Sequence, residues 1–101
     1  MSVIMVAIID IEDEDKYLEY QNKVLPMFEE LGVDVLAVDD SPKAIEGEAR
    51  NQRIVVLRFA DEKGFYGWYE SEAYKAIKPI RLNASQGEVH LLQELLSLIH
   101  I

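Results

Sequence analysis

The stretch Gly64–Ala84, GFYGWYESEAYKAIKPIRLNA, holds the only tryptophan, three of the five tyrosines, and an arginine just past a proline. Phe65, Trp68 and Tyr69 lie three and four residues apart, which places them on one side of a helix. Asp61 precedes them where a side-chain oxygen can accept from the free amides of a first turn. Ser71 offers a second cap, for a helix over Glu72–Lys78, and Pro79 predicts its end because a proline cannot supply the next backbone donor. The stretch therefore predicts two short helices hinged at Glu70 and Ser71, with Arg81 beyond the second.

Strand-like segments flank it. Upstream, Arg53–Ala60 (RIVVLRFA) is apolar on both parities except at Arg58, and downstream Glu88–Gln93 is the last predicted strand. Lys43–Gln52 is polar, contains Gly47, and reads as a loop after the turn cluster Asp39, Asp40, Ser41 and Pro42. Val33–Val38 is short and β-branched, a second strand. Before it, Tyr17, Tyr20, Val24, Phe28 and Leu31 mark one face of a helix capped by Asp13 and stopped by Gly32, with Glu14 and Asp15 favourable to its dipole. Pro26 predicts a kink or a split in that helix. Val3–Ile11 (VIMVAIIDI) opens the order as a strand, apolar at nearly every position. The tail Glu94–Ile101 (ELLSLIHI) is apolar, with helix and strand both open.

Strand, helix, strand, strand, helix, strand is the split pattern of a ferredoxin-like α+β fold, a four-stranded antiparallel sheet with helices on one face. Two helical layers cannot form from two helices, yet the first and third strands are apolar on both faces. A second copy of the same sheet is the economical cover, so the chain is expected to be a homodimer. At 101 residues it fits one domain, with a core over about residues 3–93 and a tail over 94–101.

Composition excludes several classes. There are no cysteines, hence no disulfide scaffold, thiolate site or cysteine nucleophile, and a cytoplasmic setting is the default. A formal net charge of −9 opposes binding to nucleic acid or an anionic membrane. Met1–Ile9 lacks the basic flank and cleavage site of a signal peptide, and no stretch has the length of a membrane span. His90 and His100 have no metal-ligand spacing, there is no Gly-rich phosphate loop, and Ser41, Ser71, Ser85 and Ser97 lack the setting of a nucleophile. Asp39 and Asp40 are adjacent, so in an extended segment they point apart and do not form a close acid/base pair. No metal or cofactor is expected.

The run Trp68-Tyr69-x-Ser71-x-x-Tyr74-x-x-x-Lys78-Pro79-x-Arg81 resembles the signature of the DUF1330 family, within the dimeric α/β-barrel superfamily. Asp13 with Tyr17 and Tyr20, the Glu46-Gly47 pair, and Arg53 entering a valine-rich strand match as well, so the resemblance spans roughly residues 3 to 92. It implies a βαββαβ protomer that pairs sheet to sheet to give a dimeric α/β barrel. It implies little chemistry, because the family has no settled activity. Relatives in the superfamily include cofactor-free monooxygenases, muconolactone isomerase and dye-decolourising or haem-degrading proteins, and fold does not fix function. The chain departs from the family pattern in having a single Gly32 followed by Val33, and a longer, more apolar tail after Gln93.

The candidate ligand-binding residues are Tyr17, Tyr20, Arg53, Trp68, Tyr69, Tyr74 and Arg81. Trp68, Tyr69 and Tyr74 can line a cavity between helix and sheet, or pack as core. Arg81 and Arg53 can hold an anion, or pair with a carboxylate such as Glu46 or Glu72. Tyr17 and Tyr20 share a helical face, so one can reach a cavity while the other packs. For catalysis the candidates are His90 and Tyr17 as proton acceptors, His90 on condition that its strand face, shared with Leu92, points inward. Three functions follow: a homodimer binding a small organic, anionic or aromatic molecule; a cofactor-independent monooxygenase or isomerase; and a structural or regulatory dimer without ligand.

Overall fold

In the computed structural model, which describes residues 1–95, the chain folds as β1 (Val3–Ile11), α1 (Glu14–Leu31), β2 (Asp34–Asp39), β3 (Arg53–Phe59), α2 (Glu62–Tyr69), α3 (Glu72–Ala84) and β4 (Ser85–Gln93). The four strands form one antiparallel sheet in the order β2-β3-β1-β4. This is the ferredoxin-like α+β arrangement expected from the sequence. α1 and α3 pack on one face of the sheet and against each other.

Alternation along the central strands divides the sheet into two environments. Val3, Met5, Ala7 and Ile9 of β1, with Leu57 and Phe59 of β3, are buried beneath the helices. Their neighbours Ile4, Val6 and Ile8 pair with Arg58, Val56 and Ile54 on the opposite face, where they are only partly covered. From the helices, Tyr17, Tyr20, Val24 and Phe28 of α1 and Phe65, Trp68, Tyr74 and Ile77 of α2 and α3 complete the core. Each such large apolar side chain stabilises the fold by about 1.5–3 kcal/mol on burial.

The predicted caps form. Asp13 accepts from the Lys16 amide, Asp61 from Gly64 and Ser71 from Tyr74. Gly32 ends α1 in the left-handed region at φ 69°, a conformation that costs a side-chain-bearing residue.

Three helix and strand limits differ from the sequence expectation. Pro26 does not split α1, which runs as a single helix of 18 residues. Pro79 does not end α3 either. The helix continues through Arg81 to Ala84 because Tyr74, Ile77, Arg81 and Ala84 keep the buried face at spacings of three and four. Both prolines lie on exposed helix faces, where water can satisfy the carbonyl each leaves free. β4 begins at Ser85 rather than Glu88, directly where α3 stops, so Ile11 pairs with Ser85 and Ile9 with Gly87. Of the apolar tail, Glu94 is tied to β1 by its amide, which donates to the Ser2 carbonyl at 3.2 Å. Residues 96–101, including Ser97 and His100, lie outside the described residues.

Gly87 explains how β4 can start so abruptly. A Cβ there would lie 2.2 Å from the Ile8 carbonyl oxygen and 3.0 Å from Ile9 Cα, both backbone atoms of the paired strand. Gly67, in α2, meets nothing within 4 Å. Gly87→Ala is expected to lower the unfolding free energy by about 1–3 kcal/mol through overpacking. Gly67→Ala should raise it by about 0.5–1 kcal/mol through helix propensity. Urea unfolding of the two variants beside the parent measures both.

Candidate functional site

Between the helix layer and the sheet lies a cavity of about 250 Å³, just below the roughly 300–1,000 Å³ of common ligand sites. All of the nominated binding residues, Tyr17, Tyr20, Arg53, Trp68, Tyr69, Tyr74 and Arg81, stand in its wall. Met5, Ala7, Val55 and Leu57 form its floor on the sheet, and Val24, Leu25 and Phe28 of α1 close one side. Leu25, Val35 and Val38 are the lining residues most exposed to solvent, so the cavity opens between α1 and the edge strand β2. The wall is mostly apolar, with a few convergent donors.

Arg81 is the most unusual of these donors. It is only 8% exposed, and among the described residues no carboxylate lies within ion-pairing distance of it. Its Nε donates to the Tyr74 hydroxyl at 3.3 Å, and Tyr74 shares a 2.7 Å hydrogen bond with the Tyr20 hydroxyl. The terminal guanidinium nitrogens make no hydrogen bond within the described residues and keep accessible surface. The continuation of α3 past Pro79 is what carries Arg81 inward. The end of that helix is then pinned: Ser85 Oγ donates to the Arg81 carbonyl at 2.7 Å, and the amides of Glu12 and Asp13 both donate to the Ala84 carbonyl.

Arg53 has a different role. Its Nε donates to Asp40 at 2.5 Å, Nη1 donates to Gln21 Oε1, and the guanidinium lies 5.3 Å from the centre of the Tyr17 ring. It joins β3, the end of β2 and α1 at the border between the cavity and a more polar outer cleft of about 530 Å³. Its carboxylate partner is Asp40, not Glu46 or Glu72. The Arg53 guanidinium holds the Asp40 carboxyl below the usual carboxylate range. Gln21 is a site residue that the sequence reading missed, although it stands four residues after Tyr17 and so on the same helical face.

Trp68 and Tyr74 are at once core and wall. Their ring centroids are 4.2 Å apart, and Trp68 also packs on Phe28 and Phe59. The Trp68 indole N–H is buried with no hydrogen-bond partner among the described residues. The hydroxyl of Ser71 donates to the Trp68 carbonyl and accepts from the Tyr74 amide, so the hinge between the two helices sets the relative placement of the rings. Tyr69 is held by Lys78, whose Nζ lies 4.4 Å from its ring centre.

The two catalytic candidates fare unequally. His90 lies on the open face of the sheet, across from Val6 and beside Leu92, with its side chain 56% exposed and 3.7 Å from Glu88. The condition for its role, a face turned toward the cavity, is not met, because β1 presents its odd-numbered residues to the helices. Tyr17 is in the wall, but burial pushes its phenol above the usual value, against the opposing pull of Arg53 and Arg81. At neutral pH it is therefore protonated and does not serve as a base. Burial, and then the neighbouring Tyr74, push Tyr20 up strongly as well.

A sequence profile describing a domain of unknown function, DUF1330, matches residues 2–95, and the chain belongs to that family. No curated protein matches it. Among solved structures it is similar to a protein of unknown function from Rhodopseudomonas palustris, with a TM-score of 0.77 at 15% identity over 93% of this chain and 82% of that one. It is also similar to SnoaB, a cofactor-independent oxygenase from Streptomyces nogalater, with a TM-score of 0.65 at 11% identity over 92% of each chain. A conserved protein of unknown function from Bacteroides thetaiotaomicron, described as a possible oxidoreductase, gives a TM-score of 0.65 at 7% identity over 92% of this chain and 97% of that one. At these identities the likeness concerns the fold.

Two measurements follow from the wall. Phenols whose folded pKa is raised favour the native state below their unfolded value, near pH 10, and this contribution is lost as pH climbs toward the folded value. Unfolding free energy should therefore fall above about pH 10, by up to about 1.4 kcal/mol per pH unit for each of Tyr17 and Tyr20. The slope should be shallower in Tyr20→Phe, as read from urea midpoints across alkaline pH. Arg81 is a desolvated cation without a counter-ion among the described residues, an arrangement that costs stability. Arg81→Met is accordingly expected to unfold within about 1 kcal/mol of the parent or to be more stable; a loss of 3 kcal/mol would show that Arg81 is a structural residue.

Proposed function

We propose that this DUF1330 protein is a homodimer in which each protomer binds a small, largely apolar organic molecule, anionic or aromatic, in the cavity between helices and sheet. The observation that carries the reading is Arg81: a buried cation, unpaired with any described carboxylate, in the wall of an apolar cavity. A fold that gains nothing from such a charge has reason to keep it if a ligand supplies the missing anion. Trp68, Tyr69 and Tyr74 offer flat surfaces for an aromatic body.

The composition of the open sheet face supports the homodimer. Ile4, Val6, Ile8, Ile54 and Val56 form an apolar strip there, with Arg58, Asp34 and Glu94 at one end and Glu88 and Asp39 toward the other. An apolar centre with a charged rim is the composition of an association surface, and a second copy matches it by symmetry. A cysteine-free chain with a net charge of −9 suits a cytoplasmic protein with no nucleic-acid or membrane partner.

The similarity to SnoaB motivates the alternative of a cofactor-independent oxygenase or isomerase. Binding is preferred because the cavity wall, among the described residues, contains no carboxylate and no imidazole to accept a proton. A structural or regulatory dimer remains the outcome if no ligand is found.

A thermal-shift screen of aromatic acids, quinols and lactones is expected to yield compounds that raise the melting temperature of the parent. Arg81→Met should weaken the binding of anionic hits by about tenfold or more, the loss of one charge-assisted contact, while remaining dimeric. No shift with any compound would favour the ligand-free dimer. Light scattering at micromolar concentration should report a dimer, and Val6→Glu, which places a charge in the middle of the strip, should report a monomer.

A further inference from the structure

The hydroxyl protons at the Arg81 end of the cavity can be counted. Two phenols, Tyr20 and Tyr74, carry two hydroxyl protons, and the bond between them uses one. Arg81 Nε can only donate, so at Tyr74 it occupies an acceptor position and leaves the count of hydroxyl protons unchanged. If Tyr20 donates to Tyr74, the Tyr74 proton is spare; if Tyr74 donates, the Tyr20 proton is spare. Either way one phenolic O–H of the pair and the terminal nitrogens of Arg81 remain without partners among the described residues. No carboxylate or imidazole in the described wall offers a competing acceptor, and Arg53 is already occupied by Asp40 and Gln21.

From this asymmetry we infer that the Tyr20–Tyr74–Arg81 relay is an oxyanion site that selects the charge state of its ligand, taking the deprotonated form of an acidic hydroxyl on a flat apolar body, phenolic or carboxylic. The inference rests on the reading of the cavity as a small-molecule site and adds which form of the molecule it holds. A neutral phenol can donate only to another hydroxyl oxygen, and it leaves the Arg81 charge uncompensated. The anion brings acceptors alone and meets the one uncompensated positive charge of the described wall, in surroundings where water screens it poorly. The relay also lets the position of the hydroxyl protons adjust: either phenol can turn its spare proton toward the ligand while Arg81 keeps its bond to Tyr74. Bound acids are therefore more acidic than free ones.

The experiment uses 4-nitrophenol, whose ionised form absorbs visible light, with benzoate as the carboxylate probe. The full-length protein is titrated with 4-nitrophenol at several pH values below and above the point where the free phenol ionises, and the spectrum of the bound probe is followed. The expected result is a bound apparent pKa at least one unit lower than in solution, which is about tenfold tighter binding of the phenolate than of the phenol. Arg81→Met should abolish the shift, and Tyr74→Phe, which removes the relay but leaves the charge, should reduce it. Benzoate competing with the phenolate identifies carboxylates as ligands of the same site; benzoate failing to compete restricts the site to phenolic or enolic oxyanions. A bound probe that keeps the spectrum and pKa of the neutral phenol would overturn the inference while leaving small-molecule binding intact. If neither probe binds at millimolar concentration but other compounds from the screen do, the oxyanion assignment fails and the cavity reading stands; if nothing binds, both fail.

Discussion

The hydrogen bond from Arg81 to Tyr74, extended to Tyr20, is the interaction on which the rest of the molecule turns. The Tyr74–Tyr20 bond joins α3 to α1 across the roof of the cavity, and Arg81, bonded to Tyr74 within α3, adds a cation to it. Burying a guanidinium without a carboxylate is unfavourable, and one phenolic acceptor with a girdle of tyrosines works against that cost. Everything around it serves to keep the arginine in place. Ser85 caps the turn that carries it, the Glu12 and Asp13 amides clasp the end of its helix, and Gly87 lets the chain turn straight into β4 beside Ile9.

The sheet beneath is used on both sides, for different purposes. One parity of β1 and β3 forms the floor of the cavity and the core; the other forms an exposed apolar strip with a charged border. The two faces share a backbone but not a chemistry. His90 and Glu88, on the open side, face away from the cavity, whereas Arg53, on the covered side, stands at the junction of the cavity and its outer cleft. The two arginines that looked equivalent in the chain are thereby separated. Arg53 is a neutralised brace between three elements, and Arg81 is a charge without a counter-ion among the described residues.

Much of this was legible beforehand, and the reasons are local. Asp13, Asp61 and Ser71 could be assigned as caps because a cap depends on residues within one turn. The helical faces of Tyr17, Tyr20, Trp68 and Tyr74 followed from spacing alone, which is why every nominated wall residue reached the cavity. The misreadings came where a local rule met a tertiary demand. Pro79 was expected to stop α3, but its ring faces solvent and the buried Ile77 and Arg81 pull the helix onward. The expected last strand started only at Glu88 because Ser, Gln and Gly have weak strand preference, and pairing with β1 extends it back to Ser85. Asp40 was dismissed as half of a poor acid pair, since nothing in the linear chain shows that Arg53 closes back upon it across the loop.

By itself, then, the sequence determined the order of elements, their caps, the face each helix buries and the two-sided character of the central strands. Those properties depend on neighbours within a few residues, or on the periodicity of about 2 or about 3.6 residues that a regular backbone imposes. Only the tertiary structure decided which arginine would be left without a counter-ion, which sheet face would meet the helices, and whether the aromatic run would fill the core or leave a cavity. Those outcomes depend on which side chains arrive opposite one another when distant segments pack. Gly64–Ala84 thus announced its aromatic and cationic content plainly, while the meaning of Arg81 waited on a helix that ran five residues past its proline.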